Sequence, residues 1–191
     1  YTEEVMRWLS VIGILSLIGL IAYYGIILNT ALIAWYSPAG QEVIPVLQYL
    51  QGSALPQMTQ RETLHMHDVR ALMYNMQFTI MLGVLVGWSH MLLHKDWRAV
   101  HTAKYILTGI SVLYGIGVLF FKQFFVLFHQ MAFANDYWQL PADSYLISLF
   151  PHSFFVSMAL TLLFYMVIIS ALLWYSDHHI RKRQQHKRAG V

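Results

Sequence analysis

Long uncharged stretches dominate the hydrophobic pattern of this chain. They lie at 8–36, 71–93, 105–121 and 153–175. A helix needs about 20 apolar residues to cross the hydrocarbon core of a bilayer, with roughly 17–25 as the usual range. The pattern therefore predicts four transmembrane helices, over about 6–36, 60–93, 103–134 and 151–177. Within the second of them, Gly83 and Gly87 form a G-x-x-x-G pair, which is typical of close helix packing.

Lysine and arginine are unevenly distributed between the two sides of this bundle. Arg61, Arg70 and Lys122 lie in the connections after the first and third helices. The others of the 12 precede the first helix, join the second to the third, or follow the fourth. Because the cytoplasmic loops of membrane proteins carry the excess of Lys and Arg, we expect both termini in the cytoplasm.

The two remaining connections, 37–59 and 135–150, should then lie outside the cell. The first alternates Pro and Gly with short apolar pieces, which favours one or two short strands or a turn of helix. In the second, a turn at Asn135-Asp136 is followed by Pro141 near the first position of a short helix. The predicted fold class is all-α integral membrane. We expect a single membrane domain over 1–191, a four-transmembrane-helix bundle with a small extracellular cap formed by the two outer loops.

Composition agrees with a membrane protein and excludes several chemistries. Hydrophobic residues make up 58% of the chain and charged residues 11%, whereas soluble domains carry about 25% charged residues. The net charge of +3 does not indicate nucleic-acid binding, because the basic residues flank apolar runs. The chain contains no cysteine, which excludes disulfides, thiolate metal ligands and a cysteine nucleophile.

Titratable residues gather at the predicted outer edge of the second helix. Thr59 and Glu62 have the spacing of a capping box, which indicates a helix beginning there. On such a helix Glu62 and His65 share a face, and Asp68 adjoins it one turn later. His67 lies on a different face.

Two further histidines fall at the same predicted surface. His129 lies among aromatic residues at the end of the third helix, and His152 begins the fourth after Pro151. Imidazoles from different helices at the lipid boundary could act as general acid and base on a lipid ester. They could equally ligate a metal or a haem, and spacing alone does not choose between these chemistries.

Three motifs resemble those of the lipoprotein intramolecular transacylase family, a family of bacterial four-helix membrane proteins. They are HMHDVR at 65–70, FHQMAFANDYW at 128–138 and LISLFP at 146–151. The resemblance covers about half of the chain. His152 departs from it, since an acidic residue is expected after that proline.

This resemblance implies a reaction and the residues for it. The sn-2 acyl chain of a diacylglyceryl-cysteine lipoprotein would move to the α-amino group of the same cysteine, giving a lyso-form N-acyl lipoprotein. His65 and His129 would be catalytic, with His65 as base and His129 as acid. Asp68 or Glu62 would orient His65, and Arg70 or Tyr137 would stabilise the oxyanion.

The same resemblance implies partners and a location. The partners would be a diacylated bacterial lipoprotein and membrane phospholipid, with no nucleic acid, cofactor or metal. The site would lie at the extracellular face of the bacterial cell membrane.

Two alternatives come from the histidines themselves. A membrane b-type haem protein would place haem between paired histidines, and a metal-binding accessory protein would use the histidines with nearby methionines. The first would need two ligands at matching depths inside the bundle, whereas the candidate histidines cluster at one surface.

Overall fold

A computed structural model describes residues 2–188, with the side chains of Thr2, Lys187 and Arg188 left out. Residues 1 and 189–191 of the predicted 1–191 domain therefore lie outside the described residues. The side chains of Lys187 and Arg188, two basic residues of the tail, are also outside them. Within residues 2–188 every regular element is helical. The short strands considered for 37–59 are therefore not formed.

The α-helices are numbered in chain order. They are α1 Thr2–Ala22, α2 Thr30–Tyr36, α3 Ile44–Leu50, α4 Gln60–Gly83, α5 Ser89–His94, α6 Arg98–Leu119, α7 Phe121–Ala132, α8 Tyr145–Leu149 and α9 His152–Arg188. Two π-helical turns, Tyr23–Ile27 and Val84–Trp88, follow α1 and α4, and a 3₁₀ turn, Gly40–Val43, precedes α3.

Four helices are long and apolar enough to cross a membrane, which confirms the predicted fold class. They are Glu3–Ile27, Gln60–His94, Arg98–Leu119 and His152–His186. The chain is therefore a multi-pass membrane protein.

The first predicted helix, 6–36, is interrupted. Helix α1 ends in a π-helical turn, and Asn29 then starts α2, where its side-chain oxygen accepts a hydrogen bond from the Leu32 N–H at 3.0 Å. Asn favours this N-cap position because its side chain satisfies a backbone donor that the helix leaves unpaired. An uncharged run longer than one membrane crossing thus forms two helices.

The third predicted helix, 103–134, is also divided, and it begins earlier, at Arg98. The break lies at Phe120, whose φ of −108° and ψ of 40° are not helical. Beyond it the ring of Phe124 packs against Gly117, where an added Cβ would lie 3.2 Å from the ring. The absence of a side chain at Gly117 therefore permits the bend between α6 and α7.

The last helix continues beyond the predicted end at 177. Helix α9 reaches Arg188 because its basic continuation consists of good helix formers such as Arg, Lys and Gln. The apolar pattern predicted only the part of the helix suited to cross a membrane, and the helix itself extends further.

The described chain forms two compact units. Among the described residues, the first comprises 2–21, 79–115 and 163–188. Its buried core contains Val11, Ile14, Met91, Ala99, Val100 and Ala103. Here Gly13 of α1 and Gly87 approach so closely that a Cβ on either would overlap the backbone of the other, and a Cβ on Gly83 would overlap Ser16. The G-x-x-x-G pair therefore does mark close packing.

The second unit comprises 22–78 and 116–162. Its core includes Val43, Val46, Leu47, Tyr49, Met66, Leu146, Leu149 and Phe154. The short helices α3 and α8 thus bury side chains against α4 and α9. Ser37 adds a polar tie, because its hydroxyl donates to the Leu149 carbonyl at 2.6 Å. The predicted cap segments, 37–59 and 135–150, therefore contribute buried side chains to the core of this unit.

We predict that Gly87→Ala destabilises the protein by about 1–3 kcal/mol, because the new methyl group must separate two touching backbones. Thermal unfolding of the detergent-solubilised protein measures this as a lower Tm. Gly109→Ala is the matched control, since an added Cβ there meets no atom within 4 Å. Equal Tm values for the two variants would contradict the close approach.

Candidate active site

The first turn of α4 is held by a capping box. The Thr59 hydroxyl and backbone N–H donate to Glu62 Oε2 at 2.7 and 3.0 Å, and the Glu62 N–H returns a longer bond of 3.4 Å to Thr59 Oγ1. This confirms the helix start expected from the spacing.

Glu62 does more than cap its own helix. Its other oxygen, Oε1, accepts the backbone N–H of Leu146 at 2.9 Å, and the residue is only 1% exposed. One buried carboxylate therefore joins the start of α4 to the start of α8. Both of its oxygens are engaged with Thr59 and Leu146, and the described side chains show no hydrogen bond between Glu62 and His65. These bonds fix the helix that carries His65, and the orienting role of Glu62 stays a prediction.

The rings of His65 and His129 come together from α4 and α7. Their centroids are 6.1 Å apart. Phe133 lies against both, at 5.3 Å from the His65 ring and 5.6 Å from the His129 ring. No hydrogen bond joins these two described rings directly, so a substrate group could contact both.

The environment of His129 is almost entirely aromatic. Its ring lies 4.1 Å from that of Phe125, 5.4 Å from Phe128 and 5.0 Å from Trp138. Burial among these rings lowers the pKa of His129 below the ordinary 6.5, and its hydrogen bond to the Phe125 carbonyl raises it in part. His129 is therefore neutral at physiological pH.

Hydrogen bonding also sets the tautomer of His129. Its Nδ1 lies 2.8 Å from the Phe125 carbonyl oxygen. Since a carbonyl only accepts, Nδ1 carries the proton and the neutral ring has its lone pair on Nε2. In His65, by contrast, Nδ1 is buried and has no hydrogen-bond partner among the described residues. In His129 this hydrogen bond thus leaves the Nε2 lone pair unused, whereas Nδ1 of His65 is enclosed within the protein.

The segment after α7 is tied to α4 by two polar pairs. Asn135 Nδ2 donates to Asp68 Oδ2 at 2.8 Å, and Arg61 forms an ion pair of 3.3 Å with Asp136. These pairs hold the turn that presents Trp138 to the His129 ring. Asp68 therefore supports the site through Asn135. The resemblance did not single out Asn135, although its position in the predicted turn was visible.

Other candidate residues have different surroundings. Arg70 donates through Nε to the Tyr74 hydroxyl at 3.2 Å, and its guanidinium lies over the ring of Tyr49. The backbone N–H of Tyr137 donates to the Asn135 side chain. Among the described residues, no hydrogen bond or ring contact joins Arg70 or Tyr137 to His65 or His129.

The remaining histidines of this region are separate from the pair. His67 shares a hydrogen bond of 2.8 Å with the Tyr49 hydroxyl. His152 packs edge-on against Phe121 with ring centroids 5.1 Å apart. Each of these two rings therefore has contacts of its own, apart from the rings of His65 and His129.

Comparison with known proteins now decides the family. Residues 32–155, more than half of the chain, match the model of the family described as lipoprotein intramolecular transacylase Lit. The chain belongs to the lipoprotein intramolecular transacylase family. Members of this family are acyltransferases, which confirms the resemblance, and the haem or metal-binding alternative finds no support. No curated protein matches the chain in sequence.

Solved structures of a transacylase share this fold. The in meso structure of membrane-integral Lit from Bacillus cereus matches with a TM-score of 0.71 at 20% identity, covering 95% of this chain and 94% of that one. Two Bacillus cereus Lit variants, with a histidine changed to arginine or to alanine, each match with a TM-score of 0.65 at 20% identity. The arginine variant covers 96% of this chain and 92% of its own, and the alanine variant 95% and 92%.

We predict that Glu62→Gln destabilises this transacylase-family protein by about 2 kcal/mol. The amide would turn an N–H donor toward the donors of Thr59 or Leu146, leaving a buried polar group unpaired. Thermal unfolding checks this, with Glu42→Gln as control because Glu42 is exposed on the 3₁₀ turn. A Glu62→Gln variant as stable as that control would show that the carboxylate does not hold α4 to α8.

Proposed function

We propose that this protein moves the sn-2 acyl chain of a diacylglyceryl-cysteine lipoprotein to the α-amino group of the same cysteine, with His65 and His129 transferring the protons. The observation that carries this proposal is the convergence of the two rings, 6.1 Å apart, in a chain of this family. Acyl transfer from an ester to an amine needs proton transfers at both groups, and imidazole suits this task near neutral pH.

The reaction is intramolecular in the substrate. The amine and the ester belong to one lipoprotein, so binding supplies the proximity that a second molecule would have to provide. The neutral amine attacks the ester carbonyl, the C–N bond forms and the bond to the sn-2 oxygen breaks. The amine nitrogen loses one proton and the sn-2 oxygen gains one, so no net proton is consumed and no acyl-enzyme is required.

The state of His129 supports its role as the base. It is neutral, and its lone pair lies on Nε2 because Nδ1 donates to Phe125. We therefore propose that His129 takes up the amine proton and that this proton passes by way of His65, whose ring lies 6.1 Å away, to the sn-2 oxygen, whereas the assignment made from sequence had His65 as base and His129 as acid.

Asp68 and Arg70 support this pair in different ways. Asp68 lies one helical turn beyond His65, and its carboxylate, fixed by Asn135, attracts positive charge that develops on that ring. Arg70 is engaged with Tyr49 and Tyr74, so we propose that it braces α4. Tyr137 stays the proposed oxyanion donor.

We infer the orientation in the membrane from the basic residues. Most of the positive charge lies in three places, which we assign to the cytoplasm: Arg7, the link from Lys95 to Arg98, and the tail of α9. The His65–His129 site then faces the outer side, where a secreted lipoprotein is displayed.

His65→Ala and His129→Ala should each abolish transacylation, a loss of about 10²-fold or more, because each removes one proton-transfer group. Mass spectrometry of a lipoprotein substrate measures this. Its total mass stays constant while the acyl group moves to the N-terminus.

His67→Ala and His152→Ala are the matched controls, since both remove a neighbouring imidazole outside the pair. Both should keep most of the activity. Full activity in His65→Ala or His129→Ala would remove that residue from the mechanism, and equal losses in the controls would show that the wrong pair was chosen.

The rate should fall as the pH is lowered through the pKa of His129, because only the neutral ring accepts a proton. Because burial lowers the pKa of His129, this fall in rate should lie below pH 6.5. Trp138→Ala should admit water to the ring and move this fall upward toward 6.5. Measurement of kcat/KM against pH, for the parent and for Trp138→Ala, gives the pH at which each rate falls. A fall that does not move in Trp138→Ala would contradict His129 as the group observed.

A further inference from the structure

A second cluster of charged residues lies in the first unit, among residues that the proposed transacylation does not use. It surrounds a cavity of about 380 Å³ whose lining includes Arg7 of α1, Arg98 of α6, and Asp177 and Arg181 of α9. Arginines from three helices thus converge on one space large enough for a lipid headgroup.

The acidic residue of this lining is already neutralised. Asp177 accepts a hydrogen bond of 2.6 Å from Lys104, one of 3.1 Å from Arg181 and one of 3.2 Å from His101 Nδ1. Lys104 and Asp177 are each only 4% exposed. The Lys104 ammonium also lies 3.9 Å from the ring centre of Trp174. This buried pair is fully bonded, so Asp177 does not cancel the charge of the other arginines.

Two guanidinium groups keep donors directed to no protein acceptor. Arg7 Nε is buried and has no hydrogen-bond partner among the described residues. Its Nη2 lies 3.8 Å from the largely exposed Glu4, which is too long for a hydrogen bond. Arg98 forms no ion pair with any described side chain. A buried donor without an acceptor carries a free-energy cost that a bound ligand would remove.

We propose that this cavity binds a phosphate group, either that of an anionic phospholipid headgroup or free phosphate. Guanidinium groups bind phosphate oxygens through paired N–H donors. Arg7 and Arg98 supply such donors. The basic continuation of α9 beside the cavity concentrates anionic lipid at the same place. A phospholipid held here would fasten α1, α6 and α9 together.

The test uses the full chain purified in a non-ionic detergent. It is titrated separately with short-chain phosphatidylglycerol, short-chain phosphatidylcholine and inorganic phosphate. Binding is followed by native mass spectrometry and by the rise in Tm. We expect phosphatidylglycerol to bind and to raise Tm, and Arg98→Gln to weaken this binding about tenfold.

Arg183→Gln is the matched control, since it removes one positive charge from the exposed tail outside the cavity lining. It should bind as the parent does. Arg98→Lys keeps the charge without the paired donors and should fall between the parent and Arg98→Gln, which separates phosphate recognition from loss of folding. If inorganic phosphate displaces bound phosphatidylglycerol, the site recognises the phosphate of the lipid headgroup. If inorganic phosphate binds alone and Arg98→Gln weakens its binding, the site takes free phosphate.

Equal binding by the parent and Arg98→Gln would overturn the proposal. An equal loss in Arg183→Gln would overturn it too, because the attraction would then come from diffuse charge.

Discussion

One buried carboxylate organises the region around the two histidines. Glu62 accepts hydrogen bonds from Thr59 on one oxygen and from Leu146 on the other. It therefore fixes the start of α4 at Gln60, five residues before His65, and at the same time holds α8 against α4. A carboxylate buried in this way is stable only because each of its oxygens is hydrogen-bonded. The position of His65 depends on that condition.

The aromatic surroundings determine the chemical state of the second histidine. Rings of Phe125, Phe133 and Trp138 partly bury His129, and this burial disfavours its charged form. The Phe125 carbonyl then selects the tautomer. The proposed role of His129 as a general base depends on both properties, a neutral ring and a lone pair on Nε2.

The link between α7 and α8 connects these two halves of the site. Asn135 binds Asp68, and Asp136 pairs with Arg61, so both anchor points lie on α4. The turn that carries Trp138 is thereby fixed relative to the helix that carries His65. Polar pairs of this kind are individually weak at an exposed surface, but together they restrict a segment that would otherwise be free to move.

Much about this protein follows from the sequence alone. Four apolar runs predict four membrane helices because a bilayer core requires that length, and the spacing of Thr59 and Glu62 predicts the start of α4 because capping is a local interaction. The motifs around His65 and His129 indicate the family. These conclusions depend on residues close together in the chain.

Tertiary structure decided the rest. The break at Phe120 depends on how Phe124 packs on Gly117, and an apolar run does not show such a break. Glu62 has the right spacing to face His65, yet its carboxylate binds Leu146, a residue far along the chain. The tautomer and neutrality of His129 likewise require its neighbours in space. Hydrogen-bond partners and burial are set by distances between separate helices, and a linear pattern does not contain those distances.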